Sequence, residues 1–180
     1  MLRRKILREV FVWLLWIIFA MALARFLNAF VIVNAHVLTG SMEPTIMAHH
    51  RVFGLRTSYI FSEPARGDII VFESPLPEEY SEAFIKRVVG LPGDVLAIIS
   101  GITHINGIPL PESYIKNGFQ EYFGPIEIPE NAVFVMGDNR RYSRDSREWG
   151  ILPLDSILGR IYFDFSPLPN FIANYVYAVE

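Results

Sequence analysis

Residues 10–24 read Val-Phe-Val-Trp-Leu-Leu-Trp-Ile-Ile-Phe-Ala-Met-Ala-Leu-Ala, without one charge. A run this apolar has to leave water, either in a protein core or in a bilayer, and its flanks decide between the two. Arg3, Arg4, Lys5 and Arg8 precede it against Glu9 alone, which gives residues 1–9 a charge of +3 and leaves −6 for the remainder of a chain whose total is −3. Basic residues ahead of an apolar run mark a membrane segment whose amino end stays in the cytoplasm. The uncharged run is shorter than the ~20 residues that cross the hydrocarbon core. Phe26, Leu27 and Ala29 to Val33 extend it past Arg25 and Asn28, and an arginine near a helix end reaches the headgroups along its own stem. The expected division is a basic cytoplasmic head at 1–9, a transmembrane anchor at 10–30 and an extracytoplasmic β-rich domain at 31–180. The same start, with Ala22-Leu23-Ala24, also has the features of a cleavable secretory signal. In both cases the residues beyond about 34 lie outside the cytoplasm, and a lipid bilayer is a partner.

The acidic balance of the body removes one class of function. Binding nucleic acid needs a basic patch to neutralise phosphates, and none is present outside the head, so no nucleic-acid partner is expected. There is no cysteine among the 180 residues, which excludes a disulfide framework and a thiolate zinc site. His49-His50 is an adjacent pair with no carboxylate at ligand spacing, and adjacent residues on a strand face opposite ways. It reads as a solvated loop, so neither a metal nor another cofactor is expected.

Beyond the anchor the chain is a succession of short apolar runs and turns. Residues 31–38 are β-rich, Met42 to His50 is a helical turn or an irregular link, and Arg51 to Tyr59 and Gly67 to Phe72 read as strands. Glu73 to Ala83 is polar and proline-bearing, hence loop. Phe84 to Gly90 is a strand, followed by a Leu-Pro-Gly-Asp turn. Val95 to Ile99 and Thr103 to Ile105 are short strands, and Asn106-Gly107 is a hairpin turn leading to Ile108. Residues 118–129 look irregular, and Ala132 to Met136 is a buried strand. Pro153 to Leu158 is a helical turn, and Gly159 to Phe165 a last strand. The apolar tail Phe171 to Val179 is too short to span a bilayer and either packs back on the sheet or lies at the membrane surface.

Two stretches carry chemistry. In Thr39-Gly40-Ser41-Met42-Glu43-Pro44-Thr45, Ser41 follows a glycine that permits close backbone approach and precedes a proline that stiffens the exit. A hydroxyl becomes a good nucleophile only when a neighbouring base takes its proton. No Gly-x-Ser-x-Gly elbow surrounds Ser41, and His36, His49, His50 and His104 have no evident catalytic setting. Spatial triads ignore sequence order, so a histidine base stays open, but a Ser-Lys pair fits better because it needs only a hydroxyl and one desolvated amine. Of the three lysines, Lys5 lies in the head and Lys116 in an exposed-looking Tyr-Ile-Lys-Asn-Gly stretch. Lys86, at a spacing of two from Phe84 and Val88, shares their face of a strand while Arg87 points the other way. Burial between apolar neighbours disfavours an ammonium, and the neutral amine is a competent general base. The alternative for Lys86 is an edge-strand lysine that reaches water along its stem.

Four stretches taken together resemble the type I signal peptidase (leader peptidase) family, and the resemblance runs over nearly the whole chain. Thr-Gly-Ser-Met-Glu-Pro-Thr-Ile at 39–46 is similar to the family's nucleophile box, and Arg-Gly-Asp-Ile-Ile-Val-Phe at 66–72 to its third box. Phe-Ile-Lys-Arg-Val-Val-Gly-Leu-Pro-Gly-Asp at 84–94 is similar to the lysine box, and Gly-Asp-Asn-Arg-Arg-Tyr-Ser-Arg-Asp-Ser-Arg-Glu-Trp-Gly at 137–150 to the last. The resemblance implies an all-β catalytic domain of coiled, partly barrel-like antiparallel sheets behind one N-terminal transmembrane helix. It implies a membrane-anchored serine endopeptidase that removes signal peptides from secretory preproteins after small residues, at Ala-x-Ala-like sites. Ser41 is then the nucleophile and Lys86 the base. Ser143 orients Lys86, Asp145 and Arg147 support the site, and Thr39, where the family has a serine, donates to the oxyanion with the Ser41 N–H. Phe84 and Ile85 help line shallow pockets for small side chains. The 42 residues at 95–136 leave no room for a large inserted subdomain.

Two other readings compete with this one. A self-cleaving repressor-type protein shares the Ser-Lys pair, but the basic-headed membrane segment and the lack of a DNA-binding module argue against it. A non-enzymatic membrane-anchored binding or scaffolding domain is the other.

Overall fold

The computed structural model describes residues 2–75, 83–115, 118, 120–165 and 176–178. Two compact units divide the chain at Ile32/Val33. In the first, helix α1 (Leu2–Phe26) runs without a break from the basic head through the apolar run, and a wider π-type turn (Leu27–Val31) continues it. Arginine and lysine are good helix formers, which explains why the helix starts well ahead of the apolar residues. The stretch Arg4–Val31 is long and apolar enough to cross a membrane, with a mean hydropathy of 2.3 in its most apolar window, none of which is buried. Asn28 spends its amide on the Ala24 carbonyl at 3.0 Å, so its polar group is satisfied within the helix.

The second unit is built from strands. They are β1 (Ile32–Val37), β2 (Arg51–Leu55), β3 (Ile69–Glu73), β4 (Ala83–Gly90), β5 (Val95–Ile99), β6 (Ile102–Ile105), β7 (Ile108–Pro109), β8 (Phe123–Glu127), β9 (Ala132–Met136), β10 (Leu152–Pro153), β11 (Ile157–Phe165) and β12 (Val176–Ala178), with one short helix, α2 (Ser146–Trp149). Eight form a sheet in the order β10-β9-β4-β3-β11-β2-β1-β12, and four a smaller sheet, β7-β6-β5-β8. From β10 to β2 the pairs are antiparallel, and β12 joins β1 in parallel. Register shifts at Val88/Gly90 in β4 and at Ile157/Gly159 and Ile161/Phe163 in β11 coil the large sheet, since an extra residue on one strand bends it and increases its twist. The coiling brings β12, at one end of the order, within 8 Å of β4 in its middle. The architecture is an all-β domain behind an N-terminal helix.

All eight residues of β4 are buried, so both of its faces meet core rather than one face meeting solvent. Phe84 and Val88 pack with Ile70, Phe72, Val133, Val135 and Leu152, whereas Ile85 packs with Val33, Val37, Met42, Ile46 and Val71. A third core, around Val89, Leu96, Ile98, Phe134 and Met136, fastens the small sheet to the large one. Each fully buried phenylalanine, such as Phe72, Phe84 and Phe134, contributes about 1.5–3 kcal/mol relative to exposure. The β6–β7 hairpin turns at Asn106-Gly107 with φ of 54° and 81°, the left-handed pair that this dipeptide favours.

Several boundaries differ from the sequence expectation. The strand expected over 51–59 stops at Leu55, where Ser58 donates to the Leu55 carbonyl at 2.9 Å and tightens Arg56–Tyr59 into a 3-10 turn. The stretch expected to be irregular contains β8, which takes Gly124-Pro125 into its pairing with β5 through a register shift. Pro153 belongs to β10 rather than to a helical turn; the turn is Leu154–Ser156, and β11 starts at Ile157. In the tail Val176–Ala178 packs on the sheet as a strand. Lys116, most of the 73–83 loop and the remainder of the tail lie outside the described residues.

Candidate active site

The turn that carries Ser41 is held at its base and at its tip. Where β1 ends, the Val37 N–H donates to the His50 carbonyl at 2.9 Å and the His49 N–H to the Val37 carbonyl at 2.7 Å. Met42 and Ile46, each 1% exposed, anchor the turn in the core. At the tip Asn139 donates twice, its backbone N–H to the Ser41 carbonyl at 2.9 Å and its Nδ2 to the Gly40 carbonyl at 3.0 Å. Both peptide planes around Ser41 are thereby fixed, and with them the direction of the Ser41 N–H. Thr39 is half-buried on the same turn.

Lys86 comes from the middle of β4. It is 1% exposed, its Nζ is 5.7 Å from the centre of the Phe84 ring, and Nζ and Ser41 Oγ are 2.6 Å apart, within hydrogen-bond distance. The fold thus joins two residues 45 positions apart in the chain. Phe84 and Ile85, on opposite faces of β4, belong to different cores. The Phe84 ring lies 5.4 Å from that of Trp149, while Ile85 packs in the core that holds Met42 and Ile46.

The loop after β9 closes over this pair. Asp145 caps α2 and accepts from the Gly137 N–H at 3.0 Å, while the Ser146 hydroxyl accepts from the Val135 N–H at 3.1 Å. Arg147 grips Asp145 through Nε at 2.8 Å and Nη2 at 2.9 Å, and reaches Glu121 at 2.7 Å and the Arg140 carbonyl at 2.7 Å. Burial acts to lower the Arg147 pKa, but the bonds and charges of Asp145 and then Glu121 outweigh it and hold it above its ordinary value. Ser143 approaches Ser41 across Gly137. A Cβ on Gly137 would stand 2.2 Å from Ser143 Oγ and 2.6 Å from the Ser41 carbonyl oxygen, so glycine is what lets the two serines share this corner.

Several supporting residues were not singled out from the sequence. Arg87, beside Lys86, makes a two-pronged bond to Asp138 (Nε–Oδ1 2.8 Å, Nη2–Oδ2 2.6 Å) and stacks 4.0 Å over Tyr114. Thr45 donates to the same carboxylate, which links β4 to the turn that carries Ser41. Burial alone would lower the Arg87 pKa, and Asp138 reverses the sign. Glu112 and Thr103 hold Arg140 from the small-sheet side. The sequence signals for Asp138 and Asn139 were their place in the Gly-Asp-Asn turn after a buried strand and at the head of the 137–150 stretch that resembles the family's last box. His50 finds Asp164 at 2.9 Å, a carboxylate remote in sequence. Among the described residues no cluster of three or more His, Asp or Glu is placed to hold a metal ion.

With the geometry in hand, the chain was compared with known proteins. Residues 10–166 match the model of a family described as signal peptidase, peptidase S26. The chain is 36% identical over 154 residues to the probable signal peptidase I-2 of Synechocystis sp., covering 84% of this chain and 71% of that protein. It is 34% identical over 170 residues to signal peptidase I of Bacillus licheniformis, covering 88% and 90%. Among solved structures, a signal peptidase I from Enterococcus faecalis aligns with a TM-score of 0.50 at 30% identity, covering 56% of this chain and 98% of that one. A family match over residues 10–166 takes in the Ser41 turn, the Lys86 strand and the loop over them, and the chain belongs to the signal peptidase family, peptidase S26.

Proposed function

We propose that this protein removes signal peptides from secretory preproteins, cutting after small residues at Ala-x-Ala-like sites, with Ser41 as nucleophile and Lys86 as general base. The observation that carries the reading is the 2.6 Å separation of Lys86 Nζ and Ser41 Oγ in a site from which both residues are almost wholly withdrawn from water. Withdrawal disfavours the ammonium, and in the neutral form the hydroxyl donates along the same line to the amine lone pair.

The steps follow from that proton. Ser41 Oγ attacks the scissile carbonyl carbon as Lys86 Nζ takes the hydroxyl proton. The oxyanion is met by the Ser41 N–H, aimed through the two Asn139 bonds, and by the Thr39 hydroxyl. Lys86 returns the proton to the departing amine, the new amino end of the mature protein leaves, and water, deprotonated by Lys86, releases the signal peptide from Ser41. Ser143 orients the amine, and Asp145 and Arg147 keep its loop in position. Phe84 and Ile85 bound the space for the substrate's small side chains. The substrate lies extended along a strand edge, gaining backbone hydrogen bonds. The basic head keeps the amino end in the cytoplasm, so α1 presents the catalytic domain at the outer membrane face where signal peptides emerge.

Ser41→Ala and Lys86→Met test the assignment in the full chain, in detergent or vesicles, against a preprotein with an Ala-x-Ala site. Each should abolish cleavage while leaving the melting temperature unchanged. Full activity in either variant overturns the reading.

A further inference from the structure

The position of β12 bears directly on this site. It pairs with β1 in parallel, Val176 level with Ala35, Tyr177 with His36 and Ala178 with Val37, and it comes within 8 Å of β4. β1 is the strand that leads into Thr39-Gly40-Ser41, and β4 carries Lys86. The tail strand therefore lies beside both strands that deliver the reactive groups. Its sense matters as well. A peptide added to the β1 edge in parallel runs toward the nucleophile turn, so its later residues approach Ser41, as those of a substrate must. Backbone pairing does not depend on which chain supplies the strand, and one strand on an edge excludes another.

We propose that Val176–Ala178 is a resident pseudosubstrate, a strand of the chain's own that holds the edge a preprotein segment has to take and must leave before the preprotein binds. The proposal rests on the assignment of Ser41 and Lys86 as the reacting pair. The tail sequence suits the role, because Val-Tyr-Ala sets a small branched residue and an alanine at alternate positions, the spacing of an Ala-x-Ala-like site. Ala178 is level with Val37, the last residue of β1 before the turn that carries Ser41.

The chain has no cysteine, so His36→Cys combined with Tyr177→Cys introduces a single pair of thiols at registered positions. Oxidation should lock the tail on β1 and cut preprotein cleavage at least tenfold, and reduction should restore it. A locked chain that cleaves at the full rate overturns the proposal, as does failure to cross-link in a chain that is otherwise active. In the reverse direction, Val176→Pro with Tyr177→Pro removes two backbone donors and should lower KM with kcat unchanged. A tail that fills the edge nine-tenths of the time weakens apparent substrate affinity about tenfold, so KM should fall by about that factor. An unchanged or raised KM at unchanged kcat also overturns the proposal. The parent assignment fails separately, where the unmodified chain shows no cleavage that Ser41→Ala removes.

Discussion

Lys86 and Arg87 are neighbours on one strand, both withdrawn from solvent at 1% and 9% exposure, yet they face different chemistry. The amine of Lys86 stands 2.6 Å from a hydroxyl, whereas the guanidinium of Arg87 is clasped by both oxygens of Asp138, itself 0% exposed. A carboxylate holds a buried cation charged, which fixes structure. A hydroxyl offers no charge and has a proton to give, which suits a base. The difference comes from the pleat: consecutive residues of β4 enter different surroundings, and the loop after β9 supplies Asp138 to one side and the Gly137–Ser143 corner to the other.

The largest effect should come from making the first side resemble the second. Lys86→Arg keeps a long cation but supplies a group that stays protonated, so it cannot take the Ser41 proton. Preprotein cleavage should fall by about 10³-fold or more, the scale of losing a general base from such a pair. An arginine variant with substantial activity would break the comparison. The reciprocal change acts on stability. Asp138→Ala strands the Arg87 charge in the interior and removes the Thr45 acceptor, and should cost about 3–5 kcal/mol, read by denaturant unfolding. Arg87→Met, which leaves an apolar stem in place of the cation, should cost less than its full truncation.

The parts of this arrangement legible in the sequence were those with a local cause. Alternation put Lys86 on the face of Phe84 and Val88, and its Nζ does lie against the Phe84 ring. Asn106-Gly107 announced its hairpin because few other dipeptides tolerate two successive positive φ values. β8 was hidden because Gly124-Pro125 breaks the β pattern, and only its pairing with β5 makes it a strand. The same holds for the carboxylates that fix the loop after β9. Glu112 and Glu121 reach Arg140 and Arg147 from the connection between β7 and β8, and no spacing in the sequence indicates a contact that exists only once two sheets pack. Packing of the apolar tail on the sheet was one of two outcomes the sequence allowed, but its partner strand and parallel sense were not legible, since the pairing joins β1 to a strand remote in sequence.

Gly137→Ala probes the corner between the two sides. The added methyl would meet Ser143 Oγ at 2.2 Å and the Ser41 carbonyl at 2.6 Å, and one of those is backbone that cannot swing aside. Overpacking of this kind costs about 1–3 kcal/mol. The kinetic effect should be larger than that loss implies, about 10²-fold in kcat, because an error near 1 Å in a reacting group is amplified in the rate. Stability loss with kcat preserved would separate the Gly137 contact from the chemistry.

The smallest effect should fall on a third arginine of the same loop. Arg144 bonds Glu148 at 3.0 Å across one helical turn, but the two side chains are 39% and 54% exposed, against 6% for Arg147. Water already solvates both charges, so their pairing gains little, and holding two long side chains in one geometry costs entropy. Arg144→Ala should therefore change stability by about 0.5 kcal/mol or less, a shift of about 1–2 °C in melting temperature for a domain of this size, and the remaining difference should shrink as salt rises. Cleavage should be unaffected, since the Ser143 hydroxyl meets the Arg144 carbonyl, which alanine keeps. A loss comparable to that of Asp138→Ala would mean that exposure does not set the worth of a charge in this loop, and the contrast drawn across β4 would lose its physical basis.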